Sequence, residues 1–102
     1  MNQTTEPQLR CVVVPEKDIV ASSIAELRRQ LQELLDSGCR ELILDLQRVK
    51  IVDSRGLALF MLCQNSLSRI GGRLKLVTQD QDLLHLFRVM RLDQHITISE
   101  QV

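Results

Sequence analysis

Aromatic residues are almost missing from this chain: Phe60 and Phe87 are the only two in 102 residues, with no Trp or Tyr. Base-stacking platforms and aromatic sugar-binding shelves therefore have little to be built from, and the core must be aliphatic. An excess of one charge is missing too. Thirteen Lys and Arg balance thirteen Asp and Glu at a pI near 6.7, so no global field draws in nucleic acid or an anionic membrane. The longest apolar run, residues 57–63, is seven residues, far short of the roughly twenty needed to cross a bilayer. Residues 1–8 are polar and lack the basic start and apolar stretch of a secretory signal, which points to a cytoplasmic protein. The three cysteines, Cys11, Cys39 and Cys63, are odd in number and widely spaced. They fit neither a disulfide framework nor a zinc pattern and read as reduced thiols. No phosphate-cradling Gly-x-x-x-x-Gly-Lys loop occurs, and Gln79, Asp80, Gln81 and Asp82 lack the glycine turn and terminal Glu of a cation loop. No metal and no cofactor are expected.

What is present is a regular alternation. The length suits one domain, with residues 1–8 a flexible N-terminal segment and 9–102 the folded unit. Residues 9–14 form a short β-branched run stopped by Pro15, which cannot donate to a sheet ladder. Ile24, Leu27, Leu31, Leu34 and Leu35 recur at helical spacing, with Ser23 and Glu26 fitting a capping box and Gly38 a left-handed end. Leu42, Ile43, Leu44 and Leu46 are broken only by Asp45, the pattern of a central strand covered on both faces. Residues 57–70 are helix-length and end at Gly71 and Gly72. Residues 74–77 form a strand, Asp80 or Asp82 caps a helix bearing Leu83, Leu84, Phe87 and Met90, and residues 96–98 close with a last strand. Strands alternating with helices imply a parallel sheet with helical crossovers, and the loops at the strands' C-terminal ends become the candidate site.

One of those loops carries Asp53, Ser54, Arg55, Gly56 and Leu57, where a buried strand region runs out and a helix begins. Asp and Ser are preferred helix caps, so these residues have a purely structural explanation. The functional alternative is that Ser54 accepts a phosphoryl group, which would meet free amides and a favourable helix dipole there. A nucleophilic Ser54 is the rival: Val52 to Gly56 approaches the Gly-x-Ser-x-Gly elbow of hydrolases, but position 52 is Val and neither His85 nor His95 is placed by the sequence as a base. No catalytic residue is expected.

The combination of Leu42-Ile43-Leu44-Asp45-Leu46, Val49, Val52-Asp53-Ser54-Arg55-Gly56-Leu57, Gly71-Gly72-Arg73-Leu74-Lys75-Leu76-Val77 and Leu86 to Asp93 resembles the STAS domains, and among them the bacterial anti-sigma factor antagonists. The resemblance covers about residues 9–98. It implies a single α/β domain with a four- or five-stranded, mostly parallel sheet and about three to four helices. It also implies a switch. In such a switch the unphosphorylated form would capture an anti-sigma factor serine kinase and free a sigma factor, the kinase would phosphorylate Ser54 and so block capture, and a serine phosphatase would reverse the modification. Asp53, Ser54, Arg55, Gly56 and Leu57 would form the partner-binding junction. Arg55 stands where the family usually has Ser or Thr and places a cation beside any phosphate. An Asp common in the family's loop before the first helix falls at Val20 in an ungapped register, and Asp18, two residues earlier, is taken as the candidate. The family's N-terminal strand pair is shortened here, which leaves a sheet edge able to pair with a second copy as a homodimer. Two other classes fit the same residues: a constitutive STAS scaffold or assembly subunit in a signalling complex with no serine phosphorylation, and a small esterase or ligand-binding domain.

Overall fold

The computed structural model describes residues 9–102, so the segment 1–8 lies outside the described residues. The elements follow the hydrophobic pattern: β1 (Leu9–Val13), α1 (Ile24–Asp36), β2 (Cys39–Asp45), α2 (Ser54–Ser68), β3 (Arg73–Val77), α3 (Gln81–Val89), one 3-10 turn at Leu92–Gln94, and β4 (Thr97–Ser99). The four strands form one sheet in the order β1-β2-β3-β4, and every neighbouring pair is parallel.

That order explains which face the helices occupy. Each crossover steps to the next strand in the same direction, and right-handed crossovers that all step one way return every helix to the same side. One row of the sheet contains Cys11, Leu42 and Leu74, and another Val13, Leu44, Leu76 and Ile98. Both rows share a single core cluster with Leu27 and Leu31 of α1, Leu59, Phe60, Cys63 and Leu67 of α2, and Leu83 and Phe87 of α3. Phe60 and Phe87 meet edge to face, centroids 6.2 Å apart, a favoured aromatic geometry. The centre of β2 is buried on both faces, as its unbroken apolar run predicts, although the face carrying Val12, Ile43, Lys75 and Thr97 in one row packs against no helix among the described residues. Ile43 is nonetheless fully buried, while Val12 beside it is half exposed.

Helix ends depart from the sequence signals in two places. The box at the start of α1 does not form: Ser23 makes no side-chain cap bond, its hydroxyl donating to the Asp18 carbonyl and accepting from the Val20 N–H, while Glu26 pairs with Arg29. α2 begins at Ser54, three residues before Leu57, because Asp53 caps it. Asp80, not Asp82, caps α3. Gly38 (φ 97°) and Gly71 (φ 76°) supply left-handed conformations after α1 and α2, which a residue without Cβ adopts at little cost.

Candidate functional site

Two loops at the C-terminal end of the sheet are fastened into one platform: residues 14–23 between β1 and α1, and 46–53 between β2 and α2. Ile19 and Val52 form a parallel bridge, with the Ile19 N–H donating to the Ile51 carbonyl at 3.0 Å and the Asp53 N–H to the Ile19 carbonyl at 3.1 Å. Two carboxylates then reach across in opposite directions. Asp18 Oδ1 accepts from the Lys50 and Ile51 amides at 2.8 and 3.2 Å, and Asp53 Oδ2 accepts from the Ala21 amide at 3.0 Å. A charged acceptor strengthens each such bond, so the loops behave as one rigid unit.

Asp53 also starts the helix. Its Oδ1 accepts from the Arg55 and Gly56 amides at 3.0 and 3.1 Å, and its carbonyl from the Leu57 amide. The Gly56 N–H is the main reason the Asp53 carboxyl is held below the usual carboxylate range, with the Ala21 and Arg55 amides and the Arg55 guanidinium adding to it. Burial of the group works the other way. Asp53 is therefore ionised at neutral pH.

Ser54 is the first residue of α2, exposed, and its hydroxyl has no hydrogen-bond partner among the described residues. An enzyme can reach it. Arg55 is exposed beside it, Gly56 is buried against the loop, and Leu57 is half-buried and packs on the core. Two expectations change here. The amides a phosphate on Ser54 would seek are already held by Asp53, so in that turn only the Ser54 N–H itself has no partner among the described residues. Asp18, expected to touch a partner, turns its carboxylate inward onto the second loop.

No hydrolase arrangement accompanies the serine among the described residues. His85 and His95 are exposed and neither bonds Ser54 among the described residues; His95 precedes β4, at the opposite end of the parallel sheet. An open recess of about 490 Å³ lies past β2, β3 and β4, lined by Asp45, Lys50, Thr78, Asp80 and Glu100 among others, but Ser54 is outside it. Among the described residues the strand order never reverses, so those four strands form no switch-point crevice of the kind where α/β folds hold ligands.

The cysteines are free. Cys39 and Cys63 are buried and Cys11 half-buried, and burial pushes the Cys39 and Cys63 thiols up to about 12 and about 11. Inert core thiols behave this way.

Ile51, 57% exposed between the buried Val49 and Val52, is the side chain the sequence reading missed. The signal was present: neighbouring side chains in extended backbone point to opposite sides, so Ile51 and Val52 cannot both face inward.

Comparison with known proteins accords with this geometry. TM1081 of Thermotoga maritima, described as a candidate anti-sigma factor antagonist, superposes with a TM-score of 0.82 at 23% identity, covering 89% of this chain and 80% of that one. The unphosphorylated anti-sigma factor antagonist SpoIIAA matches with a TM-score of 0.72 at 14% identity, over 98% of this chain and 88% of that one. The phosphorylated form of the Bacillus cell fate determinant SpoIIAA matches with a TM-score of 0.64 at 17% identity, over 94% and 89%. These likenesses establish the fold. No curated protein sequence matches. The family model described as Mlab, STAS domain matches residues 7–99, and the chain belongs to that STAS family.

Proposed function

We propose that this chain is a non-enzymatic anti-sigma factor antagonist of the cytoplasm, a module that binds an anti-sigma factor serine kinase while Ser54 is unphosphorylated and lets go when it is phosphorylated. A serine phosphatase resets it, and transcription is regulated indirectly. The observation that carries this is the exposed, unbonded Ser54 hydroxyl at the start of α2 on a platform of two clamped loops. A phosphoryl group adds about 1.5 to 2 negative charges. Because Asp53 already holds the helix-end amides, that charge would stay at the surface, where it opposes a docked partner without disturbing the core. The test is incubation of the pure chain with an anti-sigma serine kinase and ATP, followed by intact mass. One added phosphate, absent in Ser54→Ala, is expected; no addition, or addition that persists in the variant, overturns the switch.

One observation favours a second reading, a constitutive assembly subunit: Asp53 alone caps α2, so the local structure is complete without any modification of Ser54. A large stable oligomer whose partner binding is indifferent to Ser54→Ala and Ser54→Asp would support that reading instead.

A further inference from the structure

The loop joining β2 to α2 holds out one side chain that the fold does not use. Ile51 is 57% exposed, yet its backbone is fixed on both sides. Its N–H donates to Asp18 Oδ1 at 3.2 Å and its carbonyl accepts from the Ile19 N–H at 3.0 Å, while the adjacent Lys50 N–H donates to the same Asp18 oxygen. An aliphatic side chain on immobilised backbone has little freedom left to lose on docking, so its transfer out of water is offset by little. Buried anchors at the centre of an interface have this character.

The charges around it are of one kind where they are free. Arg48, Lys50 and Arg55 lie on the same stretch and are exposed. The carboxylates of the two clamped residues, Asp18 and Asp53, are turned onto backbone amides. Lys50 Nζ sits 4.0 Å from Asp80, whereas Arg48 and Arg55 make no ion pair among the described residues. On the facing loop, the exposed Glu16 and Lys17 offset one another.

We infer that Ile51 is the apolar anchor of the platform and that its occupant is a protein surface offering an apolar pocket rimmed by carboxylates that meet Arg48 and Arg55. This inference rests on the proposed kinase-binding role of the platform and specifies the chemistry of the kinase surface that docks there. A polyanion is disfavoured by the lack of any exposed aromatic side chain for stacking, Phe60 and Phe87 both being fully buried. The same chemistry gives the phosphate its effect: on Ser54 it would stand beside Arg55 and face the partner's carboxylates.

The test is association and dissociation kinetics of a purified anti-sigma serine kinase on the full chain, with single-stranded DNA as a second probe. Ile51→Ser should speed dissociation at least tenfold and leave association within twofold, and Ile51→Val should restore most of the lifetime. The pair Arg48→Glu and Arg55→Glu should slow association about tenfold at low salt, an effect that shrinks as salt rises because steering is screened. Lys75→Glu, on the face of the sheet opposite α1, α2 and α3, should change neither. Kinase kinetics indifferent to Ile51→Ser in a folded chain overturn the inference and leave the proposed function standing. DNA binding that depends on the arginines but not on Ile51 also overturns it. Failure of the unmodified chain to bind the kinase overturns the proposed function, and this inference with it.

Discussion

Gly56→Ala sets two well-characterised effects against each other at the centre of the platform. Gly56 lies in the first turn of α2, where a helix gains up to about 1 kcal/mol from Ala in place of Gly. An added Cβ, however, would stand 2.7 Å from Val52 Cγ1, 2.9 Å from the Ile19 carbonyl oxygen and 3.0 Å from Ile19 Cγ2. These neighbours cannot easily give way. Val52 and Ile19 are buried, at 6% and 2% exposure, and that carbonyl is held by the Asp53 N–H across the bridge between the loops. Overpacking a filled site costs roughly 1 to 3 kcal/mol, so the clash outweighs the propensity gain and a net loss of about 1 to 2 kcal/mol is expected. For a domain of this size that lowers Tm by roughly 5 to 15 °C. Urea titration with thermal melting measures it; the midpoint should fall with the slope unchanged, since the surface exposed on unfolding is hardly altered. Ser54→Ala, two residues away but exposed and unbonded, is the control and should move stability by no more than about 0.5 kcal/mol. A Gly56→Ala chain as stable as the parent would refute the close seating of α2 on the first loop.

Three further outcomes follow from the same geometry. Gly72→Ala should be worse than Gly56→Ala, costing about 3 kcal/mol or more, because its Cβ would fall 2.2 Å from the Arg40 carbonyl oxygen, a backbone atom; the urea midpoint checks it. Asp53 has a lowered native pKa, so its stabilisation is complete above the unfolded value of about 3.9 and is lost as pH falls through the native value. Asp53→Asn should therefore melt below the parent at neutral pH, with the two curves converging in acid. Arg91 adopts a left-handed conformation (φ 58°) at the end of α3, and Arg91→Gly should raise stability by about 0.5 kcal/mol, the relief of that strain less the added freedom of the unfolded chain.

The element order was legible because each segment declares its own period: Leu27 and Leu31 at helical spacing, the unbroken Leu42-Ile43-Leu44, and the Asp before α2. What escaped reading depends on partners distant in sequence. Ser23 and Glu26 match a capping box, but the Asp18 carbonyl takes the Ser23 hydroxyl, a competition no local signature contains. Asp18 reaches amides 32 and 33 residues away, so its role as a clamp could not be deduced from its neighbours. Ile43 reads as part of a strand covered on both faces and is fully buried, but what lies beside it, Val12 and Lys75 on the adjoining strands with no helix on that face among the described residues, is set by strand pairing that the local run does not contain. At the candidate site Ser54 opens α2 and Asp53 caps it. The occupation of the neighbouring amides by Asp53 was not foreseen, because Asp and Ser are both good caps and only the backbone geometry decides between them.

The monotonic strand order has a consequence for how the chain acquires its shape. Among the described residues each of β2, β3 and β4 is laid against the strand made just before it, so none of the four strands must wait for a later one to fill a gap beside it. β1, α1 and β2 can close as a unit while the rest is still being synthesised, and each later helix and strand then adds to a finished edge. The clamped loops, built from the first two of these crossovers, belong to the part that can be complete soonest.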